Sequence, residues 1–354
     1  MMALRLAGLA LCVTLLLAPA VCSAQPSMRV AADAAARQLA NRYDRETGRW
    51  PDVNWWQSAN AVTALIGYMQ KTGSRAYLPL VKDSFAKNLS YEFGGFRSDS
   101  TDDTAWWALA LIDMYDLTHD RSYLDLAEDD ATYIEAYWDD VCGGGVWWDI
   151  GKTYKNAISN ELYLKLTASL HNHIPGDTLY LARANRAWQW LQSSGMINAE
   201  HLVNDGLHIG KQGCANNDGT TFTYNQGVIL DGLTELAIAT RDEHLLTTAG
   251  DIAKAAVTSA NLSPGGILTE PCEAAKACDN DGTSFKGIFV RNLGQLDAAL
   301  ADHPYRGYLA AQAASVLARN RDGDAVYGLH WAGPFDTSGT GRQHSVVDLL
   351  TALL

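Results

Sequence analysis

The chain has 354 residues, of which 47% are apolar and 19% are charged, and its formal net charge is −13. This composition is typical of a folded globular protein and excludes an intrinsically disordered chain. The acidic balance argues against nucleic acid or an anionic membrane surface as a partner. Tryptophan (11) and tyrosine (15) far outnumber phenylalanine (7). Such rings suit a site that stacks on a partly polar ligand, although they also fill ordinary cores.

The first 24 residues have the order of a secretory signal peptide. Arg5 precedes the apolar run Leu6–Leu17, small residues follow, and cleavage is expected after Ala24. The run is too short to span a bilayer permanently. A lipoprotein anchor at Cys22 is the alternative, but Val21 is large for the position before such a cysteine.

Residues 25–354 are predicted to form a single catalytic domain, because no Pro- or Ser-rich linker divides them. No second long apolar stretch follows the signal peptide, and the apolar segment 349–354 is too short for a glycolipid-anchor tail. We therefore expect a secreted, soluble monomer without stable membrane insertion. Its location would be extracellular, or periplasmic in a Gram-negative bacterium.

Four cysteines remain after removal of the signal peptide, and in an exported chain they indicate two disulfides. Cys272 and Cys278 bracket one short loop and are the best candidate pair. Cys142 and Cys214 would then join two longer loops. Four free thiols are the alternative. A zinc site is not expected, because the sequence has no Cys-x-x-Cys pair.

Apolar residues recur at helical spacing almost throughout the chain. Six segments with few charges begin near Trp55, Asp102, Lys155, Phe222, Ser284 and Gln343. They alternate with more charged helices predicted at Met28–Tyr43, Ala76–Lys87, Ser122–Trp138, Thr178–Gln192, Glu243–Ser259 and Pro304–Arg319. Helices that are apolar all round belong inside a domain and amphipathic ones outside. The pattern predicts an all-α (α/α)6 barrel of six inner and six outer helices, with an irregular all-helical domain as the alternative.

The sharpest local signal is the adjacent pair Asp102 and Asp103, which begins an otherwise apolar helix. Carboxylates in a first helical turn have an ordinary explanation, because they cap free N–H groups and suit the helix dipole. The pair also offers a glycosidase arrangement, in which an acid and a carboxylate flank the scissile bond, about 5–5.5 Å apart for retention. Like charges that close raise the pKa of one carboxyl and keep a proton donor near neutral pH.

Polar clusters open other inner segments in the same way. They are 154–161, Tyr224–Gly227, and Phe285–Gly287 together with Arg291. A single amide in a buried turn is usually a satisfied structural group. The repeated position of these clusters nevertheless favours a cavity, where amides and cations would bind sugar hydroxyls and tryptophan faces would supply the apolar half.

These motifs together resemble glycoside hydrolase family 76, whose members are endo-α-1,6-mannanases and related fungal wall enzymes. The motifs are Asp102-Asp103-x-x-Trp106-Trp107, Tyr154-Lys155-Asn156-Ala157-Ile158-Ser159-Asn160-Glu161, Tyr224-Asn225-Gln226-Gly227-Val228 and Phe285-Lys286-Gly287. The resemblance covers essentially the whole mature chain in the right order. It implies an (α/α)6 fold, retention of configuration and no required cofactor. It also implies that Asp102 is the nucleophile and Asp103 the acid/base.

The residues expected to bind substrate come from these clusters and from the tryptophan pairs. They are Asn54, Trp55, Trp107, Trp148, Asn156, Asn160, Glu161, Tyr224, Asn225, Gln226, Lys286 and Arg291. Adjacent residues on a helix point about 100° apart. Within each tryptophan pair, we therefore expect one ring packed between helices and the other lining the cleft.

Other chemistries lack their motifs. The sequence has no Gly-x-Ser-x-Gly elbow, phosphate loop, dinucleotide fingerprint or His-Glu-x-x-His pattern. His171 and His173 would lie on different faces of a helix, and 279–282 lacks the spacing of a calcium loop and is predicted as a turn. No metal site is expected.

The leading interpretation is a secreted retaining hydrolase that cuts α-1,6-linked mannose chains internally. One alternative is a transglycosylase acting on mannose-containing wall or anchor glycans with the same two aspartates. The lack of a C-terminal anchor signal weakens this alternative, because fungal relatives of the transglycosylase type are typically membrane-tethered. A non-catalytic mannan-binding protein is the third hypothesis, but such a module could lose either aspartate and both are present.

Overall fold

The computed structural model describes residues 27–354 as a double layer of helices, and the predicted signal peptide lies outside the described residues. The inner helices are α2 (Trp55–Thr72), α4 (Thr101–Thr118), α6 (Ala157–His173), α8 (Thr223–Thr240), α11 (Gly282–Ala299) and α13 (Thr340–Thr351). The outer helices are α1 (Met28–Asn41), α3 (Leu78–Asn88), α5 (Arg121–Glu135), α7 (Leu179–Ser193), α9 (Glu243–Thr258) and α12 (Arg306–Arg319). All twelve overlap the predicted segments.

Two further elements lie in the loops at one end of the barrel. The short helix α10 spans Pro271–Ala275. Strands β1 (Leu207–Gly210) and β2 (Gly213–Asn216) form an antiparallel hairpin in which Leu207 pairs with Asn216. Within residues 27–354, no helix has both the length and the apolar character needed to cross a membrane.

The inner helices form a closed ring. Each packs against the next in the order α2, α4, α6, α8, α11 and α13, and α13 packs against α2. Outer helices α5, α7 and α9 pack on α4, α6 and α8, and the N-terminal helix α1 packs on the C-terminal helix α13. This arrangement confirms the predicted (α/α)6 barrel, and the alternative of an irregular helical domain is wrong.

Burial explains the division into two layers. The outer helix α9 buries one stripe, formed by Leu245, Ala249, Ile252, Ala253 and Ala256, which is the pattern of an amphipathic surface helix. The inner helices are buried on nearly all sides and contact each other closely. At Gly227 of α8, an added Cβ would lie 2.6 Å from the Cα of Phe289 on α11. Only glycine permits this approach.

Side chains near the start of the inner helices fix the loops that precede them. The fourth residue of four inner helices accepts a hydrogen bond from a loop backbone N–H. These bonds join Thr104 to Ser98 (3.0 Å), Asn160 to Val146 (2.7 Å), Gln226 to Val203 (2.8 Å) and Gln343 to Tyr327 (3.1 Å). The amides of Asn160 and Gln226 also donate to the carbonyl of the same loop residue. The loops at this end are thereby held as a fixed rim.

The four cysteines form two disulfides, as predicted. Cys142 pairs with Cys214 across 72 residues, and Cys272 pairs with Cys278 across six. The first bond joins the loop after α5 to strand β2, and the second closes the loop around α10. The alternative of four free thiols is wrong.

The two disulfides should contribute unequally to stability. In the chain-entropy account, a cross-link stabilises more when it closes a longer loop. The double substitution of Cys142 and Cys214 by Ser should therefore lower the free energy of unfolding by about 2 kcal/mol more than the same change at Cys272 and Cys278. Chemical denaturation of both variants measures this difference. Equal losses would contradict the entropic account.

Candidate active site

The N-terminal ends of α2, α4, α8 and α11 and the loops that precede α6 and α8 surround a cleft of about 370 Å³. Its lining combines four carboxylates, six aromatic side chains and one amide. The residues are Trp56, Asp102, Asp103, Trp106, Trp148, Tyr154, Asn156, Asp205, Tyr224, Asp281 and Phe285. The helix N-termini bring these side chains to one end of the barrel.

The adjacent aspartates occupy the second and third positions of α4, which starts at Thr101. Asp102 is held by two donors, since the backbone N–H of Asp103 donates to Oδ1 at 3.1 Å and the indole Nε1 of Trp148 donates to Oδ2 at 3.2 Å. No described residue donates a hydrogen bond to the carboxylate of Asp103. The two neighbours therefore have different surroundings.

This difference separates the ionisation of the two carboxyl groups. Burial raises the pKa of Asp102 to about 7, and the hydrogen bonds from Asp103 and Trp148 oppose that rise. Burial also raises the pKa of Asp103 well above its ordinary value, and the neighbouring charges of Asp102 and Asp281 raise it further. Because no described residue donates a hydrogen bond to Asp103, whereas Asp102 accepts two, the pair favours a charged Asp102 beside a protonated Asp103.

Two further carboxylates face the cleft from the sides. Asp281 accepts hydrogen bonds from Asn54 Nδ2 at 2.9 Å and from Trp56 Nε1 at 3.2 Å. Asp205 accepts one from the hydroxyl of Tyr154 at 2.6 Å. Burial raises the pKa of both carboxyls. No Lys, Arg or His from the described part of the chain lines the cleft.

Aromatic rings form one continuous wall. Trp56 stacks on Trp106 and on Phe285, with ring centroids 5.8 and 6.2 Å apart. Phe285 in turn stacks on Tyr224 at 3.9 Å. A wall of ring faces next to carboxylates provides the apolar and polar contacts that a sugar ring requires.

Five of the predicted site residues line the cleft: Asp102, Asp103, Trp148, Asn156 and Tyr224. The other nine lie outside the cleft lining. Asn54 lies at the rim, where it begins α2 and donates to Asp281. It supports a cleft residue instead of lining the cleft itself.

Each tryptophan pair has one ring in the core and one at the cleft, and in two pairs the residue predicted to bind substrate is the core ring. Trp55 is buried, stacks on Tyr91 at 4.3 Å and donates to Asn88. Trp107 is fully buried and stacks on Phe96 at 5.2 Å. Their neighbours Trp56 and Trp106 face the cleft. The core ring is thus the first member of the pair on α2 and the second member of the pair on α4.

Four predicted polar residues are fully buried outside the cleft lining. Asn160 and Gln226 bind the loop backbones described above. Glu161 and Asn225 are fully buried on α6 and α8, and their polar side-chain atoms have no hydrogen-bond partner among the described residues. None of the four lines the cleft.

The two predicted cations also lie outside the cleft. Lys286 is buried, pairs with Glu273 and donates to the carbonyl of Leu329 at 2.6 Å. Arg291 lines a second cavity of about 180 Å³ towards the C-terminal ends of the inner helices. There it pairs with Asp348 at 3.2 Å and donates to Asn60.

Sequence reasoning missed six lining residues: Trp56, Trp106, Tyr154, Asp205, Asp281 and Phe285. Trp56 and Trp106 are the unchosen members of pairs already identified. Tyr154 and Phe285 stand in the quoted motifs. Asp281 belongs to the predicted turn 279–282, and its place directly before α11 was the available signal. Nothing in the sequence distinguishes Asp205 from other loop aspartates.

The two histidines considered as metal ligands are engaged in separate pairs. His171 Nδ1 lies 2.9 Å from Asp177, and His173 Nε2 lies 2.8 Å from Asp116. Across residues 27–354, no group of three or more His, Cys, Asp or Glu side chains is arranged to hold a metal ion.

The sequence pattern of glycosyl hydrolase family 76 matches residues 27–354. The chain belongs to this family. It is therefore a glycoside hydrolase, which agrees with a carboxylate pair in an aromatic cleft.

Relatives in the family are similar over most of the chain. The Schizosaccharomyces pombe protein C970.02 is 30% identical over 332 residues, which are 86% of this chain and 74% of that protein. Mannan endo-1,6-alpha-mannosidase DCW1 of Candida albicans is 29% identical over 69% of this chain and 58% of its own length. The alpha-1,6-mannanase GH76A of Salegentibacter sp. HEL1_6 has the same fold, with a TM-score of 0.85 at 24% identity, over 93% of this chain and 99% of that one.

The division of tryptophans between core and cleft predicts two kinds of variant. Replacing the fully buried Trp107 by Ala leaves a cavity and should lower the free energy of unfolding by about 3–5 kcal/mol. Trp148 is 39% exposed, so Trp148→Ala should change stability by much less. Chemical denaturation of both variants measures the difference, and equal losses would contradict the assignment of Trp148 to the cleft surface.

Proposed function

We propose that the enzyme hydrolyses α-1,6-linked mannan backbones at internal bonds and retains the anomeric configuration. The observation that carries this proposal is the unequal environment of Asp102 and Asp103 on the floor of the cleft. One carboxylate has two hydrogen-bond donors, whereas the other has none. A retaining glycosidase needs this combination of a charged nucleophile and a protonated acid.

In the proposed mechanism, Asp102 attacks the anomeric carbon while Asp103 donates its proton to the departing glycosidic oxygen. The products of this step are a glycosyl-enzyme ester on Asp102 and a shortened chain. Asp103, now ionised, removes a proton from water as the water attacks the anomeric carbon and breaks its bond to the Asp102 oxygen. This second step releases the sugar, frees Asp102 and returns the proton to Asp103.

The substrate assignment draws on the relatives. The Candida albicans relative is named for endo-1,6-α-mannosidase activity on mannan. The Salegentibacter enzyme binds alpha-1,6-mannotetrose in a variant made inactive at two adjacent aspartates. In this chain the wall formed by Trp106, Trp56, Phe285 and Tyr224 is suited to stack on successive mannose rings.

We also propose that the enzyme is secreted as a single catalytic domain, residues 25–354, and acts as a monomer. Two disulfides support export, because such bonds persist in oxidising compartments. The signal peptide at residues 1–24 stays a prediction.

Product sizing after incubation with linear and branched α-mannans tests the main proposal. Internal hydrolysis should give a ladder of shorter oligosaccharides from the linear chain. Products longer than the starting oligosaccharide would instead identify transglycosylation with the same aspartates. Unchanged mannan would contradict both activities.

Substitution of the two aspartates should give different defects. Asp102→Asn should abolish activity on every substrate, because the covalent path is lost. Asp103→Asn should lose activity on mannan, by about 10²–10⁴-fold. It should retain activity on aryl mannosides with good leaving groups and recover further with added azide. Kinetics on mannan and on an aryl mannoside measure the split, and rescue of Asp102→Asn instead would exchange the two roles.

The same pair predicts the pH dependence of kcat/KM. Asp102 must be ionised to attack, and burial raises its pKa from 3.8 to about 7. Activity should therefore fall as the pH decreases, with an acidic limb nearer 7 than 3.8. The alkaline limb should report loss of the Asp103 proton. An acidic limb at the ordinary carboxyl value would contradict the buried environment described for Asp102.

A further inference from the structure

Trp148 makes the only side-chain hydrogen bond to Asp102 among the described residues. Its indole Nε1 lies 3.2 Å from Oδ2, while the Asp103 backbone N–H lies 3.1 Å from Oδ1. One donor on each oxygen fixes the plane of the carboxylate. The ring itself is 39% exposed, so contacts from surrounding side chains do not fully hold it.

The backbone of Trp148 is tied to the helix that carries Asp102. The Trp148 carbonyl accepts from the N–H of Thr101, and the Trp148 N–H donates to the carbonyl of Tyr154, both at 2.8 Å. The hydroxyl of Thr101 also donates to the carbonyl of Trp147 at 2.6 Å. The loop and the first residue of α4 therefore keep one fixed register.

A buried cation organises the rest of this loop. Lys155 is fully buried, and its Nζ donates to the carbonyls of Val141 and Gly144, both at 2.6 Å, and to Asp139 Oδ1 at 3.0 Å. Asp139 also accepts from the indole of Trp147 at 2.8 Å. An ammonium group is costly to bury unless its donors are satisfied. Here the Lys155 ammonium binds three residues of the segment 139–144, which leads to Trp148.

We propose that Trp148 is a positioning residue, whose indole N–H holds Asp102 in the orientation and ionised state needed for attack, and this inference rests on the proposed function. None of the other titratable groups facing Asp102 is a cation, and among the described residues none of their side chains donates a hydrogen bond to its carboxylate. They are Asp103 on the same helix, Asp281 before α11, Asp205 and Tyr154 in the loops, and Tyr224 on α8. Asp99 and Glu92 add negative charge behind Asp103.

The test compares Trp148→Phe with Trp147→Phe. Both remove one indole N–H from the same loop, but only the first removes the bond to Asp102. Trp148→Phe should move the acidic limb of kcat/KM upward by about one pH unit. Below that limb, activity should fall by about tenfold relative to the parent enzyme. Trp147→Phe should leave the position of the limb unchanged even where it lowers stability or kcat.

A substrate-free measurement separates this inference from the proposed function. Carbon-13 NMR titration of the aspartate carboxyls, assigned with Asp102→Asn, should give a higher pKa for Asp102 in Trp148→Phe than in the parent. That result supports the inference whether or not the parent enzyme cuts mannan. An unchanged Asp102 titration, or an equal shift in Trp147→Phe, would overturn it and leave Trp148 as a stacking surface.

Discussion

The cleft depends on hydrogen bonds between the fourth residue of the inner helices and the loops that precede them. Thr104, Asn160, Gln226 and Gln343 each hold a loop N–H, and the amide of Gln343 also donates to the carbonyl of Ala35 in α1. Loops are usually the variable part of a helical barrel. Here each is fixed to the helix it enters, so the cleft residues are carried on a rigid frame.

This frame explains why the repeated polar positions were misinterpreted in part. On α4 and α8, the second residue faces the cleft and the fourth faces the loop, as for Asp102 with Thr104 and Tyr224 with Gln226. Residues two positions apart on a helix are rotated by about 200° about its axis, so the second and fourth residues point in nearly opposite directions. Polar residues therefore recur at the start of these helices for two reasons. The fourth residue holds the preceding loop, and the second residue lines the cleft.

The sequence was sufficient for the fold because burial pattern alone separates inner from outer helices. The sequence also sufficed to identify the disulfides from the count of cysteines, and to single out the adjacent aspartates that line the cleft. The sequence did not show which side of each inner helix turns towards the cleft. Trp106 and Trp107 are equally apolar, and packing of Phe96 against Trp107 decides which ring enters the core. Asp205 and Asp281 reach the cleft through loop geometry that no periodicity encodes.

The two ends of the barrel solve the problem of buried charge differently. Towards the helix C-termini, Lys165 pairs with Asp231 at 2.7 Å, Arg291 with Asp348 at 3.2 Å and His173 with Asp116 at 2.8 Å. Cations there also complement the negative ends of the helix dipoles.

Within the described cleft lining, positive potential comes from helix N-termini, backbone N–H groups and indoles, because no Lys, Arg or His lines the cleft. Those groups are weaker than a counter-ion, and burial outweighs them, so the carboxyls of Asp102 and Asp103 keep raised pKa values. A lysine or arginine beside the pair would lower the pKa of both carboxyls and remove the proton donor. In the proposed mechanism, a cleft lining without cations among the described residues therefore keeps Asp103 able to donate a proton.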